Sequence, residues 1–211
     1  MAFKGFPAEA LEFYEGLEAD NTKAYWQAHK AVYEQHVRAP MDALLADLAP
    51  EFGEPKIFRP YRDVRFSADK SPYKTQIAGT LAGGGYVSFG AEGLAVGTGM
   101  YDMSKEQLDC YRRAVADDRR GGELEKVVAA VRRHGIEVTG RDELKTAPRG
   151  YAQDHPRIEL LRFKGVIAWK QWPVAAWLGT AKAKDRVVEV LHRAQPVHDW
   201  LQQHVGASTD G

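Results

Sequence analysis

Near residue 50 the hydrophobic pattern changes its period, and that change limits what the chain can become. Up to Leu48 the apolar residues recur every three or four positions; from about Lys56 they alternate; after Ser104 the helical spacing returns. Runs of helices, then strands, then helices describe an α+β domain rather than a doubly wound sheet. The expected architecture is therefore α+β, with N-terminal helices, a mainly antiparallel sheet from about 56 to 101, a strand near 161–172, and further helices in the C-terminal half. A chain of 211 residues is expected to form one domain over 1–205, with a disordered tail over 206–211.

Residues 7 to 49 read as helical. Pro7 suits a first turn and precedes Ala10, Leu11, Phe13, Tyr14 and Leu17 at helical spacing. Asn21 or Thr22 caps a second helix that carries Tyr25, Trp26, His29, Val32, Tyr33 and Val37. Pro40 is expected to interrupt or kink that helix before Met41, Leu44, Leu45 and Leu48 resume the stripe. Four strands are expected at Ile57 to Ser67, Tyr73 to Ala82, Tyr86 to Phe89 and Leu94 to Tyr101, with hairpin turns at Gly83-Gly84-Gly85 and Gly90-Ala-Glu-Gly93. Ser104-Lys-Glu-Gln107 reads as a capping box opening a helix, and Gly121-Gly122 as the break before the next. Leu161 to Trp172 reads as a further strand, and Val187, Val190, Leu191, Val197 and Leu201 belong to a closing helical segment.

The chemistry concentrates in Arg59-Pro-Tyr-Arg62-Asp63-Val-Arg65-Phe66-Ser67-Ala-Asp69-Lys70-Ser-Pro72-Tyr73-Lys74. Five basic residues stand there against two acidic ones, on a chain whose formal net charge is zero. A local excess of positive charge on a neutral protein points to an anion site rather than to a generally adhesive surface, and the overall balance argues against wholesale nucleic-acid binding. On a strand, period two puts Arg59, Tyr61, Asp63, Arg65 and Ser67 on one face and Phe58, Pro60, Arg62, Val64 and Phe66 on the other. Asp63 would then orient Arg59 and Arg65 for bidentate contact with a carboxylate or phosphate. Arg62, among apolar neighbours, needs a partner if buried, with Asp69 or a distant Glu as the class expected. The ligand set read from this segment is Arg59, Arg62, Arg65, Ser67, Lys70 and Lys74, with Tyr73, Lys70 and Asp63 as candidates for proton transfer. The competing structural reading has the same charges pair with one another and pin the turn 68–72 against the sheet.

The pattern Arg59-x-x-Arg62-Asp63-x-Arg65-Phe66 followed by Asp69-Lys70-x-x-Tyr73-Lys74 resembles the signature of a bacterial protein family catalogued as a domain of unknown function, DUF2461. Asn21 with Tyr25-Trp26, Gly97-Thr-Gly99-Met-Tyr101, and Pro148-Arg-Gly-Tyr151 before Asp154-His155-Pro156 extend the resemblance from about residue 5 to residue 200. It implies a single-domain bacterial protein of about this length, and it brings no established activity.

Other constellations carry less. His29 and His36 are seven apart, and His192, His198 and His204 are six apart, so neither set has the i, i+4 spacing of a helical metal site; no metal and no cofactor are expected. Gly83-Gly84-Gly85 and Gly97-x-Gly99 lack the context of a phosphate loop. Asp154-His155 reads as a cap or a surface hydrogen bond, and Trp169, Trp172 and Trp177 as packing. The single Cys110 excludes an internal disulfide, and a cytoplasmic protein that is not inserted in a membrane is expected. Two functions remain: binding or processing of a small anionic ligand at 59–74, or a non-catalytic module that docks an acidic partner, with oligomeric state open in both.

Overall fold

A computed structural model describes residues 2–65 and 68–207. The first fifty residues form helix α1 (Ala8–Ala19), helix α2 (Lys23–Val32), a π-helical stretch (Tyr33–Arg38) and helix α3 (Ala39–Phe52). Thr22 caps α2 by accepting from the Tyr25 N–H at 3.2 Å. Pro40 does not break the helical path. It sits in the first turn of α3, and just ahead of it the chain widens so that the Ala39 N–H reaches the Glu34 carbonyl five residues back. A proline cannot donate to the carbonyl four residues earlier and its ring crowds that carbonyl; the wider winding supplies the missing room. Gly53 closes α3 with φ of 87°, a left-handed value that favours glycine, and its N–H returns to the Ala49 carbonyl.

The strands are β1 (Pro55–Ile57), β2 (Gln76–Leu81), β3 (Gly85–Gly90), β4 (Gly93–Met100), β5 (Glu137–Thr139) and β6 (Val166–Trp172). They make one antiparallel sheet in the order β1-β2-β3-β4-β6-β5, so the fold is α+β as the sequence indicates. The remaining helices are α4 (Lys105–Ala116), α5 (Asp118–Arg132), the single turn α6 (Ile158–Leu161) and α7 (Lys182–His204). Among the described residues no helix is long and apolar enough to cross a membrane.

Three expectations change. The strand expected over 57–67 stops at Ile57; beyond it, among the described residues, Phe58 still donates its N–H to the Ala78 carbonyl at 2.9 Å, and Tyr61 makes an isolated bridge to Tyr73. Pro60 and Pro72 flank that bridge, and their carbonyls accept from Lys74 and Arg62, but neither ring nitrogen can donate, so the ladder has nothing to continue with. The two-faced alternation of charges drawn for this segment therefore does not extend along it. Second, the strand expected from Leu161 begins at Val166, because residues 158–161 make the turn α6 first. Third, Gly121-Gly122 lies inside the first turns of α5, and the break falls at Asp117, whose carboxylate accepts from the Arg120 N–H at 2.9 Å. The tail expected over 206–211 lies, from residue 208, outside the described residues; the Gly206 carbonyl accepts from Gln107 at 2.8 Å.

The residues fall into two compact units, Met1–Val96 with Gln171–Glu189 and Gly97–Lys170 with Val190–Gly211. In the first, Phe13, Tyr14 and Leu17 of α1 and Leu44, Leu45 and Leu48 of α3 are buried, α3 packs on β1 and β2, and α1 packs on β3. Phe6 stacks flat on Phe89 at 4.0 Å, and Lys184 reaches Asp47 at 3.0 Å. In the second, the capping box at Ser104 and Gln107 starts α4 as its sequence indicates.

The core of the second unit also holds a charge that the sequence did not single out. Arg157 is 7% exposed and donates from Nε to the Val115 carbonyl (2.7 Å) and from Nη2 to the Ala116 carbonyl (3.3 Å) and Asp118 (3.1 Å), closing the C-terminal end of α4. A side-chain carbon at Gly121 would collide with the Val115 carbonyl and with the Arg157 guanidinium, so the glycine makes room for the arginine. Replacing Arg157 by Met strands two helix-end carbonyls, at about 1–3 kcal/mol for a buried group left unpaired. The expected loss is about 2 kcal/mol in urea unfolding with unchanged m; a change under about 0.5 kcal/mol would mean that water or another side chain serves these carbonyls.

Candidate anion site

Segment 59–74 is held to the helices from below. The Asn21 side chain, just ahead of α2, donates from Nδ2 to the Tyr73 carbonyl (3.0 Å) and accepts at Oδ1 from the Tyr73 N–H (3.1 Å). Of the two capping candidates, Thr22 caps, which leaves Asn21 for this longer-range task. The Tyr73 ring, only 4% exposed, lies parallel to Trp26 at 4.4 Å and 7°. Trp26 in turn meets Phe13 edge-on at 5.8 Å and Tyr33 at 4.7 Å. The bridge partner Tyr61 rests against both Tyr73 (5.5 Å) and Trp26 (6.2 Å) yet remains 51% exposed.

On this support the charges sort themselves locally. Arg65 donates from Nε and Nη2 to the two oxygens of Asp63 at 2.9 and 2.7 Å, while its N–H also reaches Asp63. These contacts, first the Arg65 side chain, then its N–H, with a further pull from Arg59, hold the Asp63 carboxyl below the usual aspartate range. Arg62 pairs with Asp69, the partner its sequence position calls for. Asp69 also accepts from the Ser71 N–H at 2.9 Å; Ser71 foremost, and then Arg62, hold its carboxyl far below the ordinary value. Lys70 donates to the Val64 carbonyl at 3.0 Å. Side chains thus take up backbone groups that a strand ladder would have used.

Besides Lys70, which a neutral carbonyl engages, two cations are left over. Among the described residues neither Arg59 nor Lys74 has a carboxylate within ion-pair distance. They feel each other: burial first, and then the Arg59 charge, push the Lys74 ammonium below the usual lysine value. The Lys74 Nζ stands 5.5 Å from the centre of the Phe58 ring, a weak cation–π contact that does not neutralise it. The Tyr73 phenol is pushed up by burial and by Tyr61. The candidate ligand Ser67, with Phe66, lies outside the described residues. Arg59, Arg65 and Lys70 are exposed, Arg62 and Lys74 half-buried.

The other constellations have local duties. His155 accepts from the Arg157 N–H at 3.0 Å, and His29 stacks on Tyr25 at 4.0 Å. Trp172 meets Trp177 edge-on at 5.6 Å. Sequence reasoning missed the double grip of Asn21 and the role of Tyr61; the Asn21-x-x-x-Tyr25-Trp26 run is the signal that could have found the first.

The chain belongs to the DUF2461 family, described as conserved hypothetical protein, whose family model matches residues 9–200. No curated protein and no solved structure matches it.

Removing the Asn21 amide leaves the Tyr73 N–H and carbonyl without their partner. Asn21→Ala is expected to cost about 2 kcal/mol and to speed hydrogen exchange at Tyr73 and Arg62 before the sheet amides respond. Equal exchange in both proteins would show that the stacking on Trp26 suffices alone. The turn should also loosen in acid: carboxyls with lowered pKa contribute their full stabilisation above the ordinary aspartate pKa and lose it as pH falls through the lowered folded values. Protection of the Ser71 amide should therefore hold at pH 5 and decline only well below pH 4; a midpoint at the ordinary aspartate pKa would contradict the pairing of Asp69.

Proposed function

We propose that this DUF2461 protein binds a small molecule bearing a phosphate or carboxylate, gripped by Arg59 and Lys74. One observation carries the reading: among the described residues, Arg59 and Lys74 have neither an ion-pair partner, as Arg62 and Arg65 have, nor a carbonyl to engage them, as Lys70 has, and they stand close enough for the Arg59 charge to depress the Lys74 pKa. An anion between them relieves that repulsion and offsets part of the segment's positive excess, and a guanidinium can grip an oxyanion in the bidentate manner. Arg62, Arg65 and Lys70 then act by shaping the turn, since Asp69, Asp63 and the Val64 carbonyl already engage them.

Binding is favoured here over proton transfer. A general base works best with a pKa near the operating pH, whereas Asp63 is held low and Tyr73 is held high. Tyr73 and Asp63 serve as supports for the ligand-gripping residues, and Lys70 as a brace of the turn.

Thermal shift at fixed ionic strength tests the reading, with phosphate, sulfate and dicarboxylates against wild type, Arg59→Gln, Lys74→Gln and Arg65→Gln. A ligand at about 100 times its Kd adds about 2.7 kcal/mol and should raise Tm by several degrees. The shift should vanish in Arg59→Gln and Lys74→Gln, persist in Arg65→Gln, and fade at a lower pH than for an ordinary lysine, because Lys74 loses its charge early. No shift with any anion, together with salt-sensitive binding to an acidic protein surface that Arg65→Gln weakens, would favour the docking module instead.

A further inference from the structure

We infer that the anion held at Arg59 and Lys74 carries a flat aromatic ring, as a nucleoside monophosphate does, and that this ring stacks on Tyr61. The inference rests on the anion-binding reading above and narrows its ligand class.

Tyr61 is the reason. A tyrosine ring that is 51% exposed, on a segment crowded with charge, leaves apolar surface in water with no folding benefit from the exposed half. Two other rings at the surface each carry a guanidinium. Tyr101, 57% exposed, has the Arg141 guanidinium 4.9 Å from its ring centre, and Trp177 has Arg186 at 4.4 Å. Among the described residues no cation stands over Tyr61, and its two ring neighbours are tilted by 44° and 49° rather than stacked flat. The ring therefore offers a face on which none of the described residues stacks.

That face is also held still. The Tyr61 backbone is fixed by its bridge to Tyr73, with the Arg62 N–H to the Pro72 carbonyl at 2.9 Å and the Lys74 N–H to the Pro60 carbonyl at 2.8 Å on either side. Its ring is propped by Tyr73, which is itself clamped by Asn21 and stacked on Trp26. A platform that is already ordered loses little entropy when a ring settles on it. Arg59 lies two residues before Tyr61 and Lys74 directly follows its bridge partner, so ring and cations belong to one braced piece of chain. Stacking of this kind tolerates any base, because every base presents a π-face. The inferred class is thus an aromatic anion, with no preference between purine and pyrimidine arising from Tyr61 itself.

The test compares AMP, UMP, ribose 5-phosphate and inorganic phosphate by isothermal titration at fixed ionic strength, with wild type, Tyr61→Phe and Tyr61→Leu. AMP and UMP should each bind wild type about tenfold or more tightly than ribose 5-phosphate, the scale of one base stacked on an aromatic side chain. Tyr61→Phe should keep that ratio; Tyr61→Leu should bring it to within about twofold of unity while leaving the ribose 5-phosphate Kd unchanged. Circular dichroism and Tm check that Tyr61→Leu retains the fold; if it does not, the wild-type ratio and Tyr61→Phe decide alone. Equal binding of AMP and ribose 5-phosphate, or a ratio that survives in folded Tyr61→Leu, overturns the inference and leaves the anion site standing. If none of the four binds, the anion site itself fails, and this inference with it.

Discussion

Two hydrogen bonds from one amide determine where the charged segment lies. Asn21 meets both backbone groups of Tyr73, so a residue that belongs to no sheet ladder is paired as if it did. A buried peptide group left open costs about 1–3 kcal/mol, and here both groups are answered by a side chain from 52 residues upstream. Once Tyr73 is fixed, Trp26 can stack on it, Tyr61 can bridge to it, and the chain between them must close as a loop whose ends are set. The helices therefore position the candidate site although none of its cations lies on a helix.

Within that loop the charges are not interchangeable. The local pairs need little chain to be ordered: Arg65 with Asp63 two residues away, and Ser71 with Asp69 two residues away. Such pairs are exposed and add little to global stability, but they fix which backbone donors stay available. What survives the sorting is an excess of three positive charges on a chain that is neutral overall: Lys70, engaged by a carbonyl, and Arg59 and Lys74, which among the described residues have no ion-pair partner. Exposed ion pairs here settle the shape of the turn.

Much of this was legible before any coordinates. The helices of the first fifty residues, both hairpin turns and the Ser104 capping box follow from patterns confined to a few neighbouring residues, and apart from the interruption expected at Pro40 those patterns held. The strand over 57–67 failed for a reason equally present in the sequence: alternation counts side chains, whereas a ladder counts N–H groups, and Pro60 with Pro72 removes two of them. The pairing of Arg62 with Asp69 could be read from charge and proximity. The grip of Asn21 on Tyr73 and the burial of Arg157 against the end of α4 could not, because each joins positions tens of residues apart, and no local pattern encodes the distance across a fold.

The widened turn at Tyr33–Arg38 has a geometric meaning beyond accommodating Pro40. Tyr33, Val37, Met41 and Leu45 are all buried and each lies four residues after the last. At 3.6 residues per turn, steps of four drift by about 40° each, and three of them would carry the buried stripe well around the helix. A stretch of looser winding takes up that drift, as a leap day keeps a calendar in step with the seasons. The spacing of the apolar residues and the proline thus ask for the same correction at the same place, and the aromatic cluster around Trp26 stays in phase with the leucines of α3 that cover the sheet.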